Sequence, residues 1–295
     1  MEHLGKNLFE QLNIAITGAS GYLGSKLFHR LTYIGHNVLH LKNHQSHGLN
    51  MRQFNSTKNE LAVFKPDIIV HSAGSYGRNS ESAVQLLDAN HRFGLQIIED
   101  ILKYSSKKVD FLNLGTALPR NLNHYSITKA SFRDHGIMIS ETNPKLLNFV
   151  TLNLQHFYGP GCQPDNFIQK IIDDCLHHRK DIKLTMGYQK RDFIYIEDVV
   201  SAIQVIICNR DKINPQEIID VGSAKAVMIR EAVELIRNIM KSNATFNFGA
   251  LPVRSREPDT CVADISRLRV FGWEPKVSLE KGIQKIICLQ LKNTG

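Results

Sequence analysis

Gly18, Gly21 and Gly24 recur at three-residue spacing directly after the apolar run Ile14-Ala15-Ile16 and at the head of a helical pattern. In such a turn the first glycine bends the chain tightly. The second lets the backbone approach an anion, and the third lets the helix pack close to the strand. The helix that opens there presents unpaired N–H groups and the positive end of its dipole. The motif therefore predicts a β–α unit that cradles the pyrophosphate of a dinucleotide, with Gly18, Ser20, Gly21, Tyr22, Leu23 and Gly24 against it.

The rest of the N-terminal half keeps the rhythm. Apolar runs at residues 13–17, 38–41, 67–70, 109–114 and 149–154 read as buried strands. Helical stretches at 21–34, 57–64 and 80–104, and one carrying Tyr125, separate them. Strands alternating with helices make βαβ units, and right-handed crossovers wind these into a parallel sheet covered on both faces. The fold class expected is α/β, a Rossmann-type doubly wound parallel sheet with a smaller α/β substrate lobe. Residues 1–165 form the dinucleotide-binding domain, with 190–222 returning to its sheet, and 166–295 form mainly the substrate lobe.

Composition narrows the class further. No apolar run approaches the roughly 18–20 residues of a membrane span, and Met1 to Lys6 lack an apolar signal core, so a cytoplasmic protein is expected. Cys162, Cys175, Cys208, Cys261 and Cys288 are scattered with no CxxC pair, so no metal site is expected and the thiols are expected to be reduced. The net charge is +8, but the basic residues are spread along the chain and the densest cluster, residues 103–108, holds three lysines. That argues against nucleic acid as the partner and suits a phosphorylated cofactor with an anionic substrate.

The end of the second strand bears on which dinucleotide binds. NAD sites usually place a carboxylate there for the ribose hydroxyls. Here Val38-Leu39-His40-Leu41 runs into Lys42-Asn43-His44, a cation where the acid would stand. NADP(H) is the favoured cofactor, with NAD(H) the alternative.

Tyr125 and Lys129 are four residues apart, which on a helix is one face. Hydride transfer to a ketone needs a proton donor for the developing alkoxide. A phenol alone is weak, with a free pKa of about 10, and a neighbouring ammonium lowers it. Thr116, one loop earlier, can hydrogen-bond the same oxygen. Thr116, Tyr125 and Lys129 are the candidate catalytic residues.

These landmarks together resemble the extended short-chain dehydrogenase/reductases, in particular the NAD-dependent epimerase/dehydratase family that modifies nucleotide-linked sugars. The resemblance rests on residues 17–24, His71-Ser72-Ala73-Gly74, Asn90, Thr116, Tyr125, Lys129 and Tyr158-Gly159-Pro160-Gly161. It continues through the run Arg191-Asp192-Phe193-Ile194-Tyr195-Ile196-Glu197-Asp198, then Ala263-Asp264 and Phe271-Gly272-Trp273. It implies cofactor contacts at Ser72, Ala73, Gly74 and Asn90, and at Tyr125 and Lys129. For the diphosphate and ribose of a nucleotide-diphosphate sugar it implies Asn166, Arg191, Arg254 and Glu257. It also implies a homodimer built through the helix near residues 80–104 and the helix of Tyr125.

Within that family, 4,6-dehydratases carry Asp-Glu after the catalytic Thr, and the reductases that also epimerise C3 and C5 carry a Cys two residues past it. Ala117 and Leu118 stand at those positions and transfer no proton. Two reactions remain. One is reduction of the 4-keto group of a CDP- or dTDP-linked 4-keto-6-deoxyhexose by NADPH, for surface polysaccharide. The other is an NAD-dependent 4-epimerisation. A non-catalytic NADP(H)-sensing regulator is a third reading, disfavoured because Tyr125 and Lys129 are both present. Residues 113–129 and 187–194 resemble the CDP-abequose and CDP-paratose synthases of O-antigen synthesis, which favours the reductase.

Overall fold

The computed structural model describes residues 11–42 and 57–293. Met1 to Lys6 and the pair Asn43-His44 beyond Lys42 lie outside the described residues. The strands are β1 (Asn13–Thr17), β2 (Asn37–Leu41), β3 (Ile68–His71), β4 (Val109–Leu114), β5 (Leu147–Leu154), β6 (His156–Tyr158), β7 (Ile182–Leu184), β8 (Lys190–Tyr195), β9 (Ile218–Val221), β10 (Ala226–Met228), β11 (Phe246–Phe248) and β12 (Thr260–Cys261). The helices are α1 (Tyr22–Tyr33), α2 (Lys58–Phe64), α3 (Ala83–Leu87), α4 (Phe93–Tyr104), α5 (His124–Thr142), α6 (Phe167–Leu176), α7 (Ile196–Cys208), α8 (Ile229–Met240), α9 (Ser266–Val270) and α10 (Leu279–Asn293).

The chain divides into two compact units. One takes Met1–Thr116, Asn123–Asn153 and Ile203–Ile219; the other takes Ala117–Leu122, Leu154–Ala202 and Asp220–Gly295.

In the first unit the main sheet runs β2-β1-β3-β4-β5, with β9 as the sixth strand beyond β5. The pairings β1–β2, β1–β3, β3–β4 and β4–β5 are parallel. Strands buried on both faces are apolar without alternation, as in Ile68-Ile69-Val70. Phe111, Phe132 and Phe149 fill the layer between sheet and helices, with Phe111 and Phe149 stacked at 5.3 Å. Gly94 and Gly136 are required there: a Cβ on either would lie within about 2.3 Å of a phenylalanine ring. The order reverses direction between β1 and β3, and in open α/β sheets ligands bind beyond the carboxyl ends of the strands at that point.

The second unit has its own core, in which Tyr158, Ile168, Ile172, Phe193, Val233, Ile236 and Ile283 are buried together. Its sheet runs β10-β8-β12, with β6 also on β8. This corrects one expectation. Residues 190–195 pair with β6, β10 and β12 rather than with the dinucleotide-binding sheet, and the piece of the 190–222 stretch that joins that sheet is β9. Asp192, fully buried, ties the second unit's loops together. Its carboxylate accepts from the Ser223 amide and hydroxyl (2.7 and 2.6 Å) and from the amides of Ala224 and Ala263 (3.0 and 3.2 Å). Asp198 accepts from the Val277 amide at 2.9 Å in the same way. The Arg191–Asp198 run therefore carries much of this unit's architecture.

Candidate active site

At the carboxyl ends of β1 and β3 the two loops meet. Gly18 has φ +66°, and a Cβ there would sit 2.8 Å from the Cα and N of Ala73. A Cβ on Gly24 would fall 2.1 Å from the Gly18 carbonyl oxygen. The Gly21 amide donates to that same carbonyl at 2.9 Å. Gly18 thus makes the tight turn and Gly24 the close packing of helix on strand that their spacing implies. Leu23 and Gly24 are buried, Tyr22 is half-buried, and Ser20 and Gly21 are exposed. The first turn of α1 has no acidic residue and no capping side chain, which leaves the helix dipole available to an anion. A floor closed by backbone that no side chain could enter fits a dinucleotide pyrophosphate.

Thr17 joins the two loops. Its hydroxyl accepts from the Ala73 amide at 3.1 Å and lies 2.9 Å from His71 Nδ1. His71 is buried among the rings of Phe93, Phe111 and Phe132. Burial, aided by Lys129, lowers its pKa well below the usual imidazole range, so the ring is neutral and structural. Ser72 and Ala73 are half-buried and Gly74 is exposed. Lys42 is exposed directly beyond β2, one residue past Leu41, whose register partner is Thr17.

The catalytic candidates converge from β4 and α5. Helix α5 starts at a reciprocal cap: Asn123 Oδ1 accepts from the Ser126 amide at 2.8 Å, and the Ser126 hydroxyl accepts from the Asn123 amide at 3.1 Å. That cap fixes Tyr125 one turn before Lys129. Tyr125 hydrogen-bonds Thr116, and burial pushes its pKa up to about 12, with Thr116 and Arg78 opposing the rise and Tyr76 adding to it. Burial alone pulls Lys129 down to about 8. Near pH 7 the phenol is ionised in only on the order of one molecule in 10⁵, while the amine is roughly nine-tenths protonated. This corrects the expected lowering by the ammonium: the phenol is raised because burial outweighs the groups that oppose it, Thr116 and Arg78, and it rests as an acid.

Asn90 sits in a single π turn, Asp88–Arg92, between α3 and α4. It is buried. Its Oδ1 accepts from the Ser75 amide at 2.8 Å, and its Nδ2 donates to the Ser75 carbonyl at 2.8 Å and to Thr128 Oγ1 at 3.2 Å. A Cβ on Gly74 would lie 2.8 Å from Asn90 Oδ1 and 4.0 Å from Lys129 Nζ. Asn90 thereby clamps the loop after β3 to α5 and holds Gly74 beside the lysine.

Two neighbours of Tyr125 carried no signal in the sequence. Tyr76 lies against it with ring centroids 4.7 Å apart, and Arg78 lies over the Tyr76 ring at 4.3 Å. Their one sequence clue is position, in the loop after a strand that flanks the reversal of the sheet.

In the second unit, Asn166 caps α6: its Oδ1 accepts from the Ile168 amide and its Nδ2 donates to the Phe157 carbonyl, both at 3.1 Å. Arg254 is exposed. Arg191 and Glu257, both expected on the substrate, face each other in an ion pair. Arg191 donates to Glu257 at 2.6 Å and to the carbonyls of Lys190 and Pro258 at 2.7 and 2.9 Å, with 5% of its side chain exposed. A guanidinium so engaged holds β8 to the segment before β12.

The chain belongs to the NAD dependent epimerase/dehydratase family, whose model matches residues 14–222. It is thus an enzyme of the extended short-chain dehydrogenase/reductase class with a Rossmann-type nicotinamide site. Among curated relatives it is 31% identical over 294 residues to the CDP-abequose synthase of Salmonella typhimurium, an alignment covering 93% of this chain and 97% of that one. It is 26% identical over 93% of its length to a putative UDP-glucose 4-epimerase of Methanocaldococcus jannaschii, covering 97% of that protein. Among solved structures, a Thermotoga maritima UDP-glucose 4-epimerase with UDP-glucose superposes with TM-score 0.79 at 20% identity, covering 96% of this chain and 99% of that one. RMD from Pseudomonas aeruginosa complexed with NADPH gives TM-score 0.75 at 18% identity, covering 93% and 97%.

Proposed function

We propose that this enzyme reduces the 4-keto group of a nucleotide-linked deoxysugar, of the CDP- or dTDP-4-keto-6-deoxyhexose type, with NADPH, in the synthesis of a surface polysaccharide. The observation that carries this reading is the Thr116–Tyr125 hydrogen bond, with the phenol held protonated and Lys129 one turn away. The nicotinamide supplies the hydride. Tyr125 gives its proton to the oxygen of the reduced carbonyl, Thr116 orients that oxygen and shares the proton, and Lys129 stabilises the phenolate left behind. Ala117 and Leu118 provide no acid or base for dehydration or for epimerisation at C3 and C5. The diphosphate of the substrate is assigned to the N-terminus of α6 at Asn166 and to Arg254. Arg191 and Glu257 support that site through their ion pair. The CDP-abequose synthase relative favours CDP as the nucleotide.

The exposed Lys42 favours a reduced cofactor that carries a 2′-phosphate and exchanges at each turnover. We also infer a homodimer in the cytoplasm; among the described residues no helix is long and apolar enough to cross a membrane. The reading is tested with NADPH deuterated at the transferable position. Deuterium at sugar C4, one per NADPH consumed, supports it. Label that stays on the cofactor while 4-hydroxyl epimers interconvert rejects it in favour of the epimerase.

A further inference from the structure

The loop at residues 72–82 is tied down at several points. Asn90 takes both backbone groups of Ser75. The Ser75 hydroxyl donates to Glu81, and the other oxygen of that carboxylate accepts from the Asn79 amide at 2.7 Å. Gly77, at φ +87°, passes so close to Leu86 that a Cβ would meet its Cδ1 at 3.1 Å. The residue this framework presents is Tyr76, which is 37% exposed and whose ring lies tilted against that of Tyr125. Arg78 then stacks on Tyr76. An aromatic pair at this separation gains about 0.5–1.5 kcal/mol beyond its buried area, and a guanidinium on a ring face adds a comparable attraction.

We propose that Tyr76, anchored by Arg78, is a positioning residue that fixes the ring plane of Tyr125 and so aims its hydroxyl at the substrate oxygen. Thr116 holds the hydroxyl at one point, and a phenol held at one point can still rock about its χ2 axis. The Tyr76 ring, inclined at 37° to that of Tyr125, limits that freedom, and Glu81, Asn90 and Leu86 keep the loop that carries it in place. Orientation of this kind matters because a misplacement of about 1 Å can cost 10²-fold in rate. The proposal rests on Tyr125 being the proton donor of the proposed reaction.

Three variants test it: Tyr76→Leu, Tyr76→Phe and Arg78→Met. All sit at partly or fully exposed positions, where folding is preserved. Tyr76→Leu is expected to lower kcat about tenfold with KM within about twofold, and Tyr76→Phe to restore most of it. The titratable groups acting on Tyr125 are Tyr76 and Arg78 from the loop. Tyr76 raises the phenol's pKa and Arg78 lowers it. The ultraviolet titration of the Tyr125 phenol, taken as the difference from Tyr125→Phe, should therefore move to lower pH in Tyr76→Leu and to higher pH in Arg78→Met, a split that general loosening of the loop would not give.

A second readout needs no substrate. The ring resonances of Tyr125, assigned with Tyr125→Phe, should lose a ring-current shift in Tyr76→Leu and keep it in Tyr76→Phe. An unchanged kcat or an unchanged Tyr125 resonance in Tyr76→Leu overturns the proposal. Should the wild-type protein turn over no keto sugar while the resonance behaves as expected, the positioning stands and the substrate reading fails.

Discussion

Tyr125 and Lys129 show how burial sets chemistry at a single residue. Desolvation drives the two groups in opposite directions, the phenol to about 12 and the amine to about 8. Tyr125→Phe keeps the ring and removes only the transferable proton. Turnover is expected to fall about 10²–10⁴-fold, while NADPH binding, followed by fluorescence titration, stays within about twofold. The Lys129 shift also has a sign that stability measurements read. Its folded pKa lies below the usual 10.5, so between about 8 and 10.5 the unfolded chain binds more protons, and this group makes the fold more stable as pH rises through that window. The stability difference between wild-type and Lys129→Met, measured by urea unfolding, should rise from pH 7.5 toward 10. A flat difference would place the amine in a solvated environment.

Lys42 gives a third residue-scale expectation. Lys42→Glu removes a charge-assisted contact worth about 1.5–3 kcal/mol and should shift the NADPH-to-NADH affinity ratio by about 10–100-fold toward NADH. An unchanged ratio means position 42 does not meet the 2′-phosphate.

Spacing made the Tyr–Lys pair legible, because four residues on a helix fix a geometry without knowledge of the rest of the chain. Tyr76 on Tyr125 was not legible, since the stack depends on a loop conformation set by Asn90 and Glu81. The Arg191–Glu257 pair was hidden for a related reason: its partners are 66 residues apart, and a motif shows residue types but not which charges neutralise each other.

Among the elements, the β1–α1 turn is where sequence and geometry agree most closely, because glycine spacing encodes closeness of backbone directly. Gly24→Ala would place a methyl 2.1 Å from the Gly18 oxygen, and backbone on both sides has no room to yield. A loss of about 1–3 kcal/mol is expected, with a lowered melting temperature and weaker NADPH binding. Unchanged melting and binding would show that α1 can slide. The helix expected over residues 80–104 is instead α3, a π turn and α4. The extra residue of the π turn carries Asn90, and apolar periodicity alone does not register a one-residue bulge. Strand β8 was legible as a strand but assigned to the wrong sheet. The short apolar run Phe193-Ile194-Tyr195-Ile196 says that both faces are covered and not by which neighbours.

At the scale of the whole molecule, the doubly wound sheet follows from alternating strands and helices, while the second unit's short strands lie below what periodicity resolves. Strands β10 and β11 have three residues each. Helices α3 and α5 expose Val84, Leu87, Ile127 and Met138, at 61%, 45%, 43% and 61%, a larger apolar display than a lone surface helix usually carries. These residues are the expected contacts of the homodimer, and light scattering at working concentration should return twice the chain mass. A monomer there would contradict the assignment.

A ketoreductase consumes its cofactor at each turnover and an epimerase recycles it. The most direct measurement mixes the purified protein with NADPH and CDP- or dTDP-4-keto-6-deoxysugars, follows the absorbance of the reduced nicotinamide, and identifies any dinucleotide that copurifies. Stoichiometric loss of NADPH with one of these ketosugars is the result expected. Tightly bound NAD, no net oxidation and interconversion of 4-hydroxyl epimers would contradict it.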